Sequence, residues 1–509
     1  MHTSSSTAIR REIGAPRATP RDLQALLNLT AGVSAAFLGW QVAFAVPASF
    51  GGLSIDRLTA LLALLVSVVG AVTFRYSVRL LDGNPRQGRF LVLLAGTVLS
   101  ALALVCAGNL ALLFAAWIVT SLGLHALLTF CDDRPESRRP ARKKFLISRI
   151  GDVALLSALL ILWRDWGTSN LADVGEFAAR PDQQGTVRLV GLLVSMAALA
   201  KSAQFPFHSW LPETMEAPTP VSALMHAGII NAGGVLLLKF APVIARSPES
   251  WLLLASVGSL TVAVGMMSMW AQVKVKRTLA WSTVGQMGFM VAQCGLCAFP
   301  AVVLHILGHG CYKARCFLRC GELEPTAADP VAPRRGLLLG LLGAVAAAAA
   351  MSGFAFLRGV DRSPSPSELS IGIILSIAIG QVWVAVLGRP VRGAGRLALR
   401  SASAVLLTVA ASVAAAGLYA GAARFLRPVL GDLPQPDGAA AWIAAAIPAL
   451  TVALLAVLHA WLPSLHRTAA GRALHIHALQ GFYFGAIADR FVDAIMPPAR
   501  RANEGAGHA

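Results

Sequence analysis

The sequence predicts an all-α polytopic membrane protein, a helical bundle of about fourteen transmembrane helices with broken helices and a C-terminal amphipathic helix. Of its 509 residues, 56% are hydrophobic and only 13% are charged, whereas about a quarter of the residues in an ordinary soluble domain are charged. Apolar runs long enough to cross a hydrocarbon core of about 30 Å recur along almost the whole chain. Prolines interrupt one of these runs beside a lysine, which predicts a helix broken within the membrane.

The apolar runs give the order of the predicted spans. They lie at 25–48, 57–74, 90–107, 109–130, 145–163, 187–208, 219–244, 251–271, 279–297, 300–320, 336–357, 369–388, 402–421 and 440–462. No domain boundary is visible within 25–465, so we expect one transmembrane domain between an N-terminal tail, 1–24, and a C-terminal helix and tail, 466–509. In 475–495 apolar residues recur at helical spacing, which favours a helix lying on the lipid surface or against a partner.

Basic residues are concentrated in alternate loops, and the net charge is +18. The strongest examples are the segments 138–144, 274–277 and 389–400. We call the membrane face that carries these loops the basic side. The positive-inside rule places both termini in the cytoplasm, and the polar first twenty residues lack the apolar core of a secretory signal. Because the charge follows the topology of the chain, we expect no nucleic-acid partner.

Lys201 ends an apolar run and is followed within a few residues by prolines. Pro206 has no backbone N–H, so the carbonyl of Ser202 loses its helical partner beside the lysine. The helix-breaking prolines of this region are Pro206, Pro212, Pro218 and Pro220. We expect Thr219 to cap the next helix, with Pro220 at its first position. A buried charge beside a broken helix suggests an ion path; the alternative is a lysine that snorkels to the membrane surface.

Further ionisable residues fall inside the predicted spans. Asp152 opens the fifth span, and the seventh carries His226 and Lys239. In the tenth span His305, His309 and Lys313 share one helix face at i, i+4 and i+8. Two such histidines can bind zinc, but the next residue on that face is a cation, so we expect no metal site in this chain. A proton relay accounts better for the set; the alternative is histidines that only hydrogen-bond neighbouring helices.

Three motifs resemble those of a known family, the proton-translocating antiporter-like membrane subunits of respiratory complex I and multisubunit Na⁺/H⁺ antiporters. They are KSAQFPFHSWLPETMEAPTPVSALMHA, VKVKRTLAWSTVGQMGFM and HILGHGCYKARCFLRCG, and the resemblance covers about 90–325. It implies that Lys201 is the pumping lysine at a broken helix. It also implies that His226 and the histidine face are relay residues, and that Lys313 lies on a central hydrophilic axis.

Two residues depart from the family pattern. Ile118 follows Trp117 where the family usually carries a glutamate, and Leu357 stands where a later broken helix usually carries a lysine. We therefore take Asp152 as a candidate carboxylate partner of Lys201. Arg358, beside Leu357, is a candidate base for the late channel.

The segments TSLGLHALLTF and RPARKKFLISRIGD and the C-terminal tail look like the DabB membrane subunits of DAB-type inorganic carbon transporters. This resemblance implies a transport subunit, and no enzyme by itself, in a bacterial inner membrane. It would translocate H⁺, or Na⁺, and energise CO₂/bicarbonate uptake by a peripheral DabA-like subunit related to carbonic anhydrases. The zinc cofactor would then lie in that partner, and this chain would have none.

Two other interpretations stay open. The chain is a proton-pumping subunit of a complex I-type NADH:quinone oxidoreductase or of a Na⁺/H⁺ antiporter, or it is a scaffold that has lost transport. The sequence has no glycine-rich nucleotide loop and no cysteine cluster of iron–sulfur type, so we expect no redox chemistry in this chain. The acidic segment LPETMEAPTP and the C-terminal tail are the candidate partner contacts.

Overall fold

The computed structural model describes residues 19–130, 135–321, 331–359, 363–390 and 393–496. Most of the predicted N-terminal tail and the end of the C-terminal tail, 497–509, lie outside these ranges. The first helices and the one small hairpin in the described residues are α1 (Pro20–Phe44), β1 (Ala48–Phe50), β2 (Leu53–Ile55), α2 (Arg57–Leu80), α3 (Gln87–Cys106), α4 (Leu110–Leu128), α5 (Pro135–Trp166), α6 (Val174–Ala178) and α7 (Gln184–Lys201).

Short helical pieces follow α7 before the long spans resume. The remaining helices are α8 (Trp210–Glu213), α9 (Thr219–Ala227), α10 (Ala232–Lys239), α11 (Ala241–Ile244), α12 (Pro248–Ala271), α13 (Val275–Gly295), α14 (Phe299–Leu318), α15 (Pro333–Leu357), α16 (Pro366–Leu387), α17 (Ala394–Leu430), α18 (Gly438–Leu465), α19 (Ala469–Leu479) and α20 (Phe484–Ile495). Turns of 3-10 helix lie at Leu171–Asp173, Pro181–Gln183, Thr214–Glu216, Ile229–Asn231 and Gly481–Tyr483.

The fold class predicted from the sequence is confirmed, and each predicted span coincides with a helix or a helix pair. In the described part of the chain, 11 helices are long and apolar enough to cross a membrane. Three further spans, α7, α13 and α14, contain polar residues such as Lys201, Gln293 and His305, which lower their hydropathy. Helix α7, which precedes the predicted break, therefore belongs to the more polar part of the bundle.

The helices differ sharply in how far they are enclosed. In the apolar stretch of the span Thr219–Lys239, 94% of the residues are buried, whereas in that of Pro333–Leu357 only 11% are buried. The centre thus lies among α2 to α14, while α1 and α15 to α18 present apolar side chains outward, as lipid-facing helices do. Within the centre, Gly258 lets the backbones of α12 and α13 approach closely, because a Cβ there would lie 2.6 Å from the Ala292 nitrogen.

The predicted amphipathic helix is present but is divided. The predicted apolar face of Ile476, Leu479, Phe482, Tyr483, Ile487 and Phe491 is split between α19 and α20. Gly481, Phe482 and Tyr483 all have positive φ angles, of 59°, 54° and 62°. This left-handed turn ends α19, so the prediction of a single helix over 475–495 was wrong. On α20, Ile487 and Phe491 are 55% and 71% exposed.

Candidate functional site

The predicted break after Lys201 is present. Helix α7 ends at Lys201, and the chain becomes helical again at α8, which contains Pro212. The Ser202 carbonyl, which has no helical donor, accepts a hydrogen bond of 2.8 Å from the Gln204 side-chain amide. Pro206, whose peptide bond with Phe205 is cis, lies in this connection. The polar side chain of Gln204 thereby satisfies the opened backbone, which the membrane interior requires.

A second break follows His226 and was not predicted. Helix α9 ends at Ala227, a 3-10 turn covers Ile229–Asn231, and α10 begins at Ala232. At the other end of α9, Pro218 precedes the helix and Thr219 is its first residue, with no side-chain cap, so the predicted Thr219 cap was wrong. Pro220 occupies the second position, where its missing N–H costs no helical bond. Lys201 and His226 therefore each lie at the end of an interrupted helix.

The two breaks contact each other. Ser202 Oγ donates a hydrogen bond of 2.7 Å to the carbonyl of Ile230. Gly233 packs directly on α7, since a Cβ at this position would lie 2.6 Å from the Ala198 carbonyl oxygen and would also meet Ser202 Oγ. Only a glycine fits there without displacing one of the two helices. The two breaks are thus in direct contact through α7 and α10.

Lys201 and Asp152 are joined through Trp117. Lys201 is 7% exposed; its Nζ donates to the Trp117 carbonyl at 3.1 Å and lies 4.2 Å from the centre of the Trp117 ring. The indole N–H of Trp117 donates to Asp152 Oδ1 at 2.8 Å. The other carboxylate oxygen forms an ion pair of 2.6 Å with Arg149. Among the described residues Lys201 and Asp152 form no ion pair, so their predicted pairing is indirect.

The predicted face of α14 contacts α13, with His309 and Lys313 buried and His305 half-buried. His305 Nδ1 lies 3.1 Å from Gln293 Oε1, and the rings of His305 and His309 are 5.8 Å apart. Lys313 is fully buried and donates to the Leu279 carbonyl and to Ser282 Oγ, each at 2.8 Å. Within the described ranges no group of three His, Cys, Asp or Glu side chains is arranged to hold a metal ion.

His226 lies beside the second helix break and contacts the histidine and lysine face of α14. Its ring is fully buried and stacks on Phe317, with centroids 4.3 Å apart and planes at 16°. Phe317 lies one turn beyond Lys313 on the same face of α14. In the described part of the chain neither ring nitrogen of His226 has a hydrogen-bond partner. A buried imidazole without partners leaves sites that water or a moving proton could occupy.

Two predicted residues lie apart from this group. Lys239 donates to the Ala107 carbonyl at 2.8 Å, roughly 20 Å along the helix pair from His226 at 1.5 Å per residue. Arg358 is exposed just beyond the end of α15. The structure therefore brings Asp152, Lys201, His226, His305, His309 and Lys313 into one connected region but not Lys239 or Arg358.

The acidic segment and the C-terminal helix contact each other through Lys143. This fully buried lysine donates to both oxygens of Glu213, at 2.9 and 2.7 Å, and pairs with Asp489 Oδ1 at 2.7 Å. Burial raises the pKa of the Glu213 carboxyl, and the Lys143 ammonium opposes that shift. Nearby, Arg139 pairs with Asp493. Glu213, expected to contact a partner, thus binds within the chain.

Several residues of this region were not predicted from the sequence. Trp117, Arg149 and Gln293 were not recognised as contacts of the charged row, and Lys143 and Lys144 were assigned to a basic loop. Helix α5 begins as early as Pro135, so Lys144, Ser148 and Asp152 share a helix face at i, i+4 and i+8. This is the same spacing that identified the histidine face, and it could have found Lys144.

Comparison with known proteins finds similarity in the central segment of the chain. Residues 107–332 match the family model described as NADH:quinone oxidoreductase/Mrp antiporter, TM. The chain is 42% identical over 283 residues to the probable inorganic carbon transporter subunit DabB2 of Halothiobacillus neapolitanus, covering 55% of this chain and 51% of that protein. It is 34% identical over 333 residues to NADH-quinone oxidoreductase subunit L of Mycobacterium tuberculosis, covering 65% and 52%. The matches thus span about half the length of these relatives.

Solved structures extend the similarity to nearly the whole chain. A chain of the Mrp complex from a Dietzia species matches with a TM-score of 0.52 and 26% identity, covering 94% of this chain and 57% of that one. A chain of the archaeal membrane-bound sulfane sulfur reductase matches with a TM-score of 0.55 and 19% identity, covering 93% and 95%; at that identity the likeness concerns the fold alone. The match to the NADH:quinone oxidoreductase/Mrp antiporter, TM family model thus covers residues 107–332, the part of the chain that contains Lys201, His226 and Lys313.

Proposed function

We propose that this chain is the ion-translocating membrane subunit of an inorganic carbon transporter, and that the ion is H⁺. The observation that carries the proposal is the connected region of buried bases at two helix breaks, from Lys201 through His226 to Lys313. Burying bases in a membrane is costly, and ionisable residues that are kept there commonly mark paths for ions or protons. Lysine and neutral imidazole both exchange protons, whereas a path for Na⁺ requires oxygen ligands, and the carbonyl and carboxylate oxygens beside Lys201 are already engaged.

The coupling to carbon rests on similarity. Relatives named as probable inorganic carbon transporter subunits match at 42% and 38% identity over 283 and 291 residues. We propose that a peripheral DabA-like subunit related to carbonic anhydrases holds the zinc and the CO₂/bicarbonate chemistry. Proton flow through this chain in a bacterial inner membrane would then drive the partner's reaction towards bicarbonate.

A redox complex or a Na⁺/H⁺ antiporter is the second candidate. It is favoured by the 34% identity to a subunit of NADH-quinone oxidoreductase and by the Mrp-complex fold. In that case this chain would translocate protons but its partners would be quinone-reductase or antiporter subunits. A scaffold without transport is the third candidate, and Ile118 and Leu357 are the residues that favour it.

Purification of the tagged full chain in mild detergent distinguishes the first two candidates. A large zinc-containing, carbonic-anhydrase-like protein in the isolated complex would support carbon transport; quinone-reductase or antiporter subunits would overturn it. The scaffold is tested by reconstituting the complex in liposomes with pyranine inside and imposing a pH gradient. We expect Lys201→Ala to abolish the proton flux while assembly is preserved. An assembled variant with full flux would show that protons do not pass through Lys201 and would overturn the proposed function, whereas a wild-type complex without proton flux would support the scaffold.

A further inference from the structure

Two consecutive lysines of α5 are buried in opposite surroundings. Lys143 is fully buried and is neutralised by Glu213 and Asp489. Lys144 is 3% exposed, and its Nζ donates to the carbonyl and the hydroxyl of Ser121, at 2.6 and 2.9 Å. Among the described residues no carboxylate lies within ion-pairing distance of Lys144. Structural ion pairing thus accounts for Lys143 but not for Lys144.

Lys144 and Lys201 face the same space. Both line a small cavity together with the polar residues Ser121 and Ser148 and the apolar Ile230. The cavity has room for a water molecule and polar groups from Ser121, Ser148 and the two lysines in its wall, which are the two conditions for a buried water to bind. A water there would be in reach of both lysines and would connect them through hydrogen bonds.

The charges around this cavity do not balance. The bases are Lys144 and Arg149 of α5 and Lys201 of α7, with Asp152 as the acid. From α4 the titratable group is His125, whereas α8 and the turn after α9 contribute Trp210, Ile229 and Ile230, which carry no charge. Because Arg149 already pairs with Asp152, the two buried lysines have no carboxylate of their own, which is costly in a buried site. At least one lysine has to give up its proton for the cluster to be stable.

We propose that Lys144 exchanges a proton with Lys201 through this cavity and is the proton-transfer residue on the basic side of Lys201. The inference rests on the proton-translocating function proposed above. The Lys144 ammonium gives a proton to the bridging water, the water gives one to the neutral Lys201 amine, and Lys144 is reprotonated from the basic side. Lys144 precedes Asp152 by eight residues of α5, so it lies about 12 Å nearer that side.

Replacing Lys144 by arginine distinguishes a role in proton transfer from a structural role. Arginine keeps the charge and the donors but does not release its proton. In pyranine-loaded proteoliposomes of the isolated complex, we expect Lys144→Arg and Lys144→Met to lower the proton flux roughly 100-fold, as for loss of a general acid or base. We expect Lys143→Arg, the matched control, to keep wild-type flux because Lys143 only needs its charge. Wild-type flux in either Lys144→Arg or Lys144→Met would overturn the proposal.

A titratable replacement keeps the proposal testable if Lys144→Arg does not assemble. We expect Lys144→His to recover part of the flux lost in Lys144→Met, with an optimum at lower pH, because imidazole titrates near 6.5. A structural role would not move the pH profile, so flux at the level of Lys144→Met would contradict transfer. Lys201→Ala is measured in parallel. If it keeps full flux, the proposed function fails; if it loses flux while Lys144→Met does not, only this inference fails.

Discussion

Trp117 contacts an acid with one edge and a base with its face. Its indole N–H fixes the Asp152 carboxylate, and its carbonyl and ring hold the Lys201 ammonium. An ammonium over an indole face is stabilised by about 2 kcal/mol when it is desolvated. The uncharged Trp117 side chain therefore lies between the Asp152 carboxylate and the Lys201 ammonium and contacts both. A shift of Trp117 would change the surroundings of the acid and the base together.

Replacement of Asp152 by asparagine tests whether the negative charge of this residue is needed for proton flux. Asparagine still offers an oxygen to Trp117 but no longer neutralises Arg149, so an uncompensated cation remains buried beside Lys201. We expect Asp152→Asn to lower proton flux at least about tenfold, as the protonation of Lys201 becomes less favourable. The measurement is flux in proteoliposomes, and the control is Asp165→Asn, which removes an exposed pair with Arg164. Equal flux in both variants would contradict a role for the Asp152 charge.

At the scale of elements, the interrupted helices are held by side chains at their open ends. Gln204 satisfies the carbonyl at the end of α7, and Ser202 binds the turn that follows α9. The C-terminal segment packs over this connection: Phe484 of α20 contacts Phe205 edge-on, with centroids 4.7 Å apart. The broken region is thus enclosed by α20 on one side and by α10 on the other. These contacts limit how far the connection after Lys201 moves.

Gly233 tests the contact between the two breaks. A methyl group there would collide with the Ala198 carbonyl of α7, and overpacking of this kind typically costs about 2 kcal/mol. We expect Gly233→Ala to lower the thermal midpoint of the isolated complex and to reduce proton flux. Gly308→Ala is the control, because nothing lies within 4 Å of a Cβ at Gly308. Unchanged flux and midpoint in Gly233→Ala would show that α7 and α10 do not move as one.

Lys143 tests the attachment of α20 to α5 and α8. Removing the ammonium takes the ion pair from Glu213 and leaves Asp489 only with Arg139, at 3.8 Å, and we expect Lys143→Met to destabilise the fold by about 3 kcal/mol. Burial raises the pKa of Glu213, and the loss of Lys143 would raise it further. The destabilisation should therefore be small at low pH and grow as the pH rises through that pKa, because the unfolded chain then releases the proton more readily.

Thermal midpoints measured between pH 5 and pH 9 check this dependence. Lys274→Met is the control, since Lys274 is an exposed lysine of a basic loop, and it should show neither the loss nor the pH trend. Lys143→Arg should retain most of the stability. A Lys143→Met variant as stable as the control at pH 9 would mean that α20 does not depend on this ion pair.

At the scale of the whole molecule, hydropathy and helical spacing predicted the spans and the buried row, because both are periodic in the sequence. Lys201, His226 and Lys313 were found in this way. What was missed depends on contacts between helices distant in sequence, such as Gln293 with His305 and Trp117 with Asp152. The break at Gly228 was missed because a single glycine does not end a helix by itself. Lys144 was missed because the basic segment 138–144 is typical of a loop, whereas α5 already begins at Pro135.

The last prediction concerns the orientation of the bundle in the membrane, which decides from which side protons reach Lys144. The basic loops put Lys274 on the basic side, whereas Asp182, between α5 and α7, lies on the other side. If the positive-inside rule holds, Lys144 faces the cytoplasm and Lys239 the opposite side. In a variant with all 7 cysteines replaced by alanine, we expect Asp182→Cys to react with a membrane-impermeant maleimide in intact cells. Lys274→Cys should react only in inverted vesicles, and the reverse pattern would place the Lys144 entrance outside the cytoplasm.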